Sequence, residues 1–125
     1  MKRKGKYTIL VILGVCLALH LLLQPVSAKD SIRIGFSMAL TGIYSQGAVS
    51  QMNSYQLWKD QVNEKGGIFV KDLGRKVPVE YVYYDDKSSP DTAVRVYEKL
   101  ITQDKVDLVF TPWGTTIHFA VAPLA

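Results

Sequence analysis

Three features predict an α/β fold, three layers deep, with a parallel sheet. Short runs rich in β-branched and aromatic residues alternate with segments of helical spacing, in the order strand, helix, strand, helix, strand, helix. The last short run, VDLVF from Val106 to Phe110, is apolar at nearly every position, which suits a parallel strand covered on both faces. Glycines and capping residues stand where the helices should stop and start. Together these imply Rossmann-like βαβ units with right-handed crossovers.

The elements follow in order. In SIRIGFSMAL (Ser31 to Leu40), Ile32, Ile34 and Phe36 share one face and Arg33 the other, so this is a strand. TGIYSQG (Thr41 to Gly47) is rich in turn residues and reads as a loop. The segment from Ala48 to Gly67 carries Val49, Met52, Tyr55, Trp58 or Lys59, and Val62 at helical spacing, and Gly66 and Gly67 end it. Trp58 lies on that stripe and is read as core, not as a ligand platform. A tight turn around Gly74 leads to a second strand, in which Val77, Val79, Tyr81 and Tyr83 alternate with Pro78, Glu80, Val82 and Tyr84.

Ser89 is a good N-cap for the next helix, with Pro90 at its first position and Asp91 near the positive end of its dipole. Ala93, Val96, Tyr97, Leu100 and Ile101 form its apolar stripe. After VDLVF, a third helix is expected with Thr115 or Thr116 as cap, ended or kinked by Pro123.

The chain has 125 residues, enough for one domain at most. Its net charge is +4, but Lys2, Arg3, Lys4 and Lys6 all precede the first acid, Asp30. Without those four, 11 basic residues face the 11 acidic ones. The folded part is therefore neutral, and no nucleic-acid partner is expected. The basic start, the apolar run from Thr8 to Leu23, and the small residues Val26 and Ala28 read as a secretory signal peptide (residues 1–28) cut before Lys29. The apolar run falls short of the roughly 20 residues a spanning helix wants. Cys16, the only cysteine, falls in that run, so the mature chain has neither a disulfide nor a thiolate metal site.

Enzyme and cofactor motifs fail on inspection. The loop after the first strand has glycines only at 42 and 47, not G-x-G-x-x-G, and Ala48 and Val49 replace the Lys and Ser/Thr of a P-loop. Asp85 and Asp86 could serve a ribose or a metal, but carboxylates at a strand end usually face solvent or cap the next loop. His118 has no nucleophile motif beside it. No catalytic residue, metal or cofactor is expected.

Binding remains. In open α/β sheets, ligands sit at the carboxyl ends of strands. Two loops qualify, LTGIYSQG and TPWGTT. In the second, Trp113 offers a flat apolar face and Gly114 permits close approach. Thr115 and Thr116 bring hydroxyls and backbone N–H groups.

Four segments carry a family resemblance: IRIGFSMALTGIYSQG, VNEKGGI, VEYVYYDDKSSPDTAVRVYEKLI and VDLVFTPWGTT. In their order and spacing the chain resembles the type I periplasmic binding proteins. The likeness is to the branched-chain amino acid and amide subgroup that serves ABC transporters. The resemblance implies a two-lobed receptor of roughly 350–400 residues, with lobes of ordinary domain size. The lobes close on the ligand by hinge motion and present it to a membrane permease.

On this reading residues 29–125 are the first part of lobe I, and the chain is a fragment of an exported, periplasmic or otherwise extracytoplasmic protein. Its ligand is an amino acid, an amide or a related small carboxylate, and it meets the membrane only through the permease. The resemblance places Gly114, Thr115 and Thr116 at the ligand's α-carboxylate, with Trp113 as an apolar wall. The family often has an aromatic residue just before the glycine of the first loop. Here Gln46 precedes Gly47, and Tyr44 stands two residues earlier. One alternative fits these residues equally, the sensor ectodomain of a signalling receptor; the other, a secreted α/β enzyme, would need a nucleophile or metal motif downstream.

Overall fold

The computed structural model describes residues 29–124. The expected signal peptide and Cys16 lie outside that range. Along the chain run β1 (Ile32–Met38), α1 (Ser45–Glu64), β2 (Ile68–Val70), β3 (Arg75–Val77), β4 (Val79–Asp85), α2 (Pro90–Thr102), β5 (Leu108–Val109) and α3 (Thr115–Val121). Single 3-10 turns occupy Lys71–Leu73 and Ala122–Leu124.

The main sheet is parallel in the order β4-β1-β5. β1 pairs with β4 along its whole length, from Ile32 opposite Val79 to Met38 opposite Asp85. On its other side β1 meets β5 over only Ile34–Leu108 and Gly35–Val109. Helices cover both faces. On the α1 side Phe36 is fully buried, with Tyr55 and Tyr81 edge-on at 5.2 Å and Tyr83 stacked at 5.3 Å. Phe110 joins this aromatic cluster 4.9 Å from Tyr55. On the opposite face Ala93 and Tyr97 of α2 pack with Ile117 and Val121 of α3, and Val109 packs against them. The three-layer α/β expectation holds.

The cap at Ser89 forms as expected: its hydroxyl accepts the Thr92 N–H at 3.4 Å, and Pro90 opens α2. In the α2 stripe Ala93, Tyr97 and Leu100 are buried, while Ile101 is exposed. Gly66 and Gly67, with φ of 85° and 92°, follow α1 as expected. Pro123 lies in the 3-10 turn that ends α3.

Several details differ. α1 starts at Ser45, ahead of Ala48, with Tyr44 as an N-cap that makes no side-chain bond. Its expected core-facing stripe holds at Met52, Tyr55, Lys59 and Val62 and differs at its first position. Ala48 is buried where Val49 was expected, and Val49 is 58% exposed. Trp58 sits at the margin, 38% exposed with one edge on Phe110 at 5.8 Å.

The expected second strand divides at Pro78. Arg75–Val77 pairs antiparallel with Ile68–Val70 in a separate hairpin, and β4 begins only at Val79. Proline has no N–H for a ladder, so the chain changes sheet there. The Asn63 side chain fixes the junction, accepting the Val79 N–H at 2.8 Å and donating to its carbonyl at 2.9 Å.

Among the described residues β5 is an edge strand and lacks the expected cover on both faces: Leu108 is 54% exposed. Its main chain still follows β1 outside the ladder, with Asp107 N–H on Arg33 O and Phe110 N–H on Gly35 O, both at 2.8 Å. Lastly, α3 is capped by Gly114 without a side-chain bond, and Thr115 is already its first residue. The expected threonine cap does not form.

Candidate functional site

The strand order locates a crevice. From β1 the chain moves to β4 on one side and then crosses to β5 on the other. The carboxyl ends of β1 and β5 therefore flank a topological switch point, where open α/β sheets bind ligands. The loops that emerge there, Ala39 to Tyr44 and Thr111 to Gly114, are the two that the sequence singles out.

They meet. A Cβ placed on Gly47 would lie 2.5 Å from the Trp113 ring, so the indole rests directly on the Gly47 backbone. A Cβ on Gly114 would lie 3.7 Å from the Tyr44 ring. Tyr44, Trp113 and Gly114 thus form one surface. Thr115 and Thr116 are exposed at the start of α3, where the first turn of a helix leaves N–H groups without intrahelical acceptors. Gln46 is exposed but belongs to the first turn of α1, not to a loop.

Each loop is anchored differently. In the loop after β5, the Thr111 carbonyl accepts from the Tyr55 hydroxyl at 3.1 Å and from Gln51 Nε2 at 3.3 Å. Gln51 Nε2 also reaches the Tyr55 hydroxyl at 2.6 Å. The buried Tyr97 donates its hydroxyl to the Phe110 carbonyl.

In the loop after β1, the Asp85 carboxylate accepts the N–H groups of Leu40 and Thr41 at 3.1 and 3.2 Å. It also takes the Thr41 hydroxyl at 2.6 Å and the Lys87 N–H at 2.8 Å. Burial pushes the Asp85 carboxyl up. The Thr41 hydroxyl and the three N–H groups outweigh that and hold it below the usual carboxylate range.

Asp86 is fully buried, not turned to solvent. It accepts the Ser37 hydroxyl at 2.7 Å and the Ser88 N–H at 2.9 Å. Burial dominates here and raises its carboxyl above the usual range, with the neighbouring Asp85 charge adding to the rise. The acidic pair is a fastener between loops, and no grouping of three or more His, Cys, Asp or Glu fit to hold a metal occurs among the described residues.

His118 is exposed on α3, with its ring 6.5 Å from that of Phe119. It rims a shallow apolar depression floored by Tyr97, Phe110, Pro112 and Val121. Sequence reasoning missed Gln51, Tyr55, Thr41 and Ser88 as loop anchors. Their partners lie far away along the chain, and nothing local marks them.

A sheet with this order, helices on both faces and two loops converging at the switch point define an open α/β lobe with a crevice at the carboxyl ends of its strands. The Periplasmic binding protein family model matches residues 31–125, and the chain belongs to that family. Solved structures agree. A branched-chain amino acid transporter substrate-binding protein, LivJ from Streptococcus pneumoniae in complex with isoleucine, is 30% identical with a TM-score of 0.66, over 74% of this chain and 25% of that one.

A solute-binding protein of an ABC transporter from Rhodopseudomonas palustris BisB5, in complex with 3,4-dihydroxybenzoic acid, is 28% identical with a TM-score of 0.61, over 78% and 24%. A putative branched-chain amino acid ABC transporter protein from Silicibacter pomeroyi is 30% identical with a TM-score of 0.56, over 75% and 23%. The chain spans about a quarter of the length of these structures. The family is that of the periplasmic binding proteins, and the neighbours include substrate-binding proteins of ABC transporters.

Proposed function

We propose that this chain supplies one wall of a receptor for a small carboxylate with an apolar body, an amino acid or a related acid, and that the receptor delivers its ligand to an ABC permease. The observation that carries this reading is the convergence of Tyr44 with Trp113 and Gly114 at the switch point between β1 and β5. Trp113 and Tyr44 would contact the apolar body. The hydroxyls and N–H groups of Thr115 and Thr116, beside Gly114, would hold the carboxylate, as charge-assisted bonds do best when donors are preset. Gln46 lies in the first turn of α1 and would reach the ligand only by its side chain.

The ligands named for two neighbours, isoleucine and 3,4-dihydroxybenzoic acid, both pair a carboxylate with a hydrocarbon frame, aliphatic in the first and a ring with two hydroxyls in the second. On this reading no bond is made or broken, and no cofactor takes part. Residues 1–28 serve as a cleaved export signal, and residues 29–125 are the first part of lobe I.

Calorimetric titration of the complete receptor with L-isoleucine, L-glutamine and 3,4-dihydroxybenzoate tests this. Saturable binding of at least one is expected, weakened about tenfold by Thr115→Val, the equivalent of one bond to a charged group. Binding of none of them, or full affinity in Thr115→Val and Thr116→Val together, overturns the assignment. Mass spectrometry of the exported protein should find Lys29 as its first residue.

A further inference from the structure

We propose that Asp85 and Ser88 are positioning residues, which set the loop after β1 so that the Tyr44 ring stays against Gly114. The proposal rests on the ligand crevice assigned above and adds the device that shapes one of its walls. The Ser88 hydroxyl accepts the Tyr44 N–H at 3.0 Å and donates to the Thr41 carbonyl at 2.8 Å, so one side chain bridges both ends of the loop. The Asp85 carboxylate takes up the donors that remain at the loop's start, those of Leu40 and Thr41.

The backbone is bent to make this possible. Lys87 and Ser88 are consecutive non-glycine residues with φ of 57° and 60°, a conformation that L-residues seldom adopt. Strain of this kind persists only where surroundings enforce it. Here the enforcing contacts are the Asp86 bonds to Ser88 N–H and Ser37, and the Asp86 carbonyl on the Ser89 N–H at 3.0 Å. The facing loop is cut to fit. Gly42 has φ of 89°, and a Cβ there would stand 2.5 Å from Ser88 Oγ.

These bonds fasten the loop after β1 to the end of β4 and the loop that follows it, and none of them is a rung of the sheet ladder or a helical bond. They fix where Tyr44, which packs against both the Phe36 and the Tyr97 clusters, enters α1.

The test uses the full chain and three variants, Asp85→Asn, Ser88→Ala and Thr41→Ser, with Asp104→Asn as a control. Asp104 is held by Lys99 and Tyr84, in a cluster apart from these loops. The NMR signals of Gly114 report the Tyr44 ring through its ring current, and amide exchange reports the loop. Asp85→Asn and Ser88→Ala should shift the Gly114 signals and lose protection at Leu40, Thr41 or Tyr44, while the β1 centre keeps its own. Thr41→Ser, which retains the hydroxyl, and Asp104→Asn should leave Gly114 in place.

In the complete receptor the first two variants should weaken L-isoleucine binding about tenfold. Unmoved Gly114 signals in both, or an equal shift in Asp104→Asn, overturn the positioning role. A moved ring with unchanged affinity overturns its bearing on the ligand. A wild-type receptor that binds none of the three probes fails the functional reading instead, and the Gly114 result stands apart from that.

Discussion

The two loops that meet at the crevice are held by unlike chemistry. The loop after β5 hangs from α1 and α2 by neutral groups, the Tyr55 and Tyr97 hydroxyls and the Gln51 amide, all directed at main-chain carbonyls. The loop after β1 is held by the Asp85 carboxylate at the end of β4 and the Ser88 hydroxyl in the loop that follows. The first arrangement uses no carboxylate. The second draws its strength from ionisation. One wall is thus fixed by packing with neutral bonds, the other by charge placed on a bent backbone.

The largest expected effect comes from filling Gly42. Gly42→Val combines a β-branched residue at φ of 89° with contacts of 2.5–2.8 Å to Ser88 and Lys87. Strain and overpacking each cost about 1–3 kcal/mol, so urea denaturation should show a loss of several kcal/mol. A loss under 1 kcal/mol would mean the loop after β1 is loose, and the contrast between the walls would collapse.

Gly47→Ala comes next. Its Cβ would lie 2.5 Å from the Trp113 ring, but Trp113 is partly exposed and can swing outward. Alanine's better helix propensity offsets up to about 1 kcal/mol of the clash. A small net change in stability is expected, with a red-shifted tryptophan emission as the diagnostic. Unchanged emission would show that the indole is not seated on α1.

Tyr55→Phe removes the hydroxyl from Thr111 and Gln51 and should cost about 1 kcal/mol. It should leave the amide protection of Leu40 and Thr41 as it was. Spread of the effect to that loop would show the two walls to be coupled.

The smallest effect is the pH response. Asp85 is depressed in the folded state, so its contribution is present above the ordinary carboxylate value. It is lost as pH falls through the depressed folded value. Asp86 is raised, so its contribution is present below the ordinary value and lost as pH rises through the raised one. Stability measured against pH should therefore flatten at the acid end in Asp85→Asn and at the higher end in Asp86→Asn. Slopes of the same sign in both would contradict the opposite environments of these neighbours.

What the sequence revealed was what local chemistry encodes. The Ser89-Pro90 start of α2 is legible because cap and proline act within one turn. The crevice loops stand out by composition. The Asp85–Thr41 fastening joins residues 44 apart in sequence, and no local pattern announces it. Gln46 looked like a loop residue because Tyr44 offers no capping side chain, and only the seat of Trp113 on Gly47 explains a glycine inside the first turn. The split at Pro78 was readable in principle. The alternation of Val77, Val79 and Tyr81 outweighed a proline that cannot donate to a ladder.

The place of β1 at the middle of the sheet has a consequence during biosynthesis. Ile34 finds its neighbours only when Tyr81 and later Leu108 have been made. At about 5–20 residues per second, the run IRIGFSM waits on the order of a few seconds as an apolar, β-prone segment with a single charge. The strand that organises both walls is therefore the one left unpaired longest while the chain is being made. Anything that slows translation between β1 and β4 lengthens that exposure, and with it the time available for the nascent chain to aggregate.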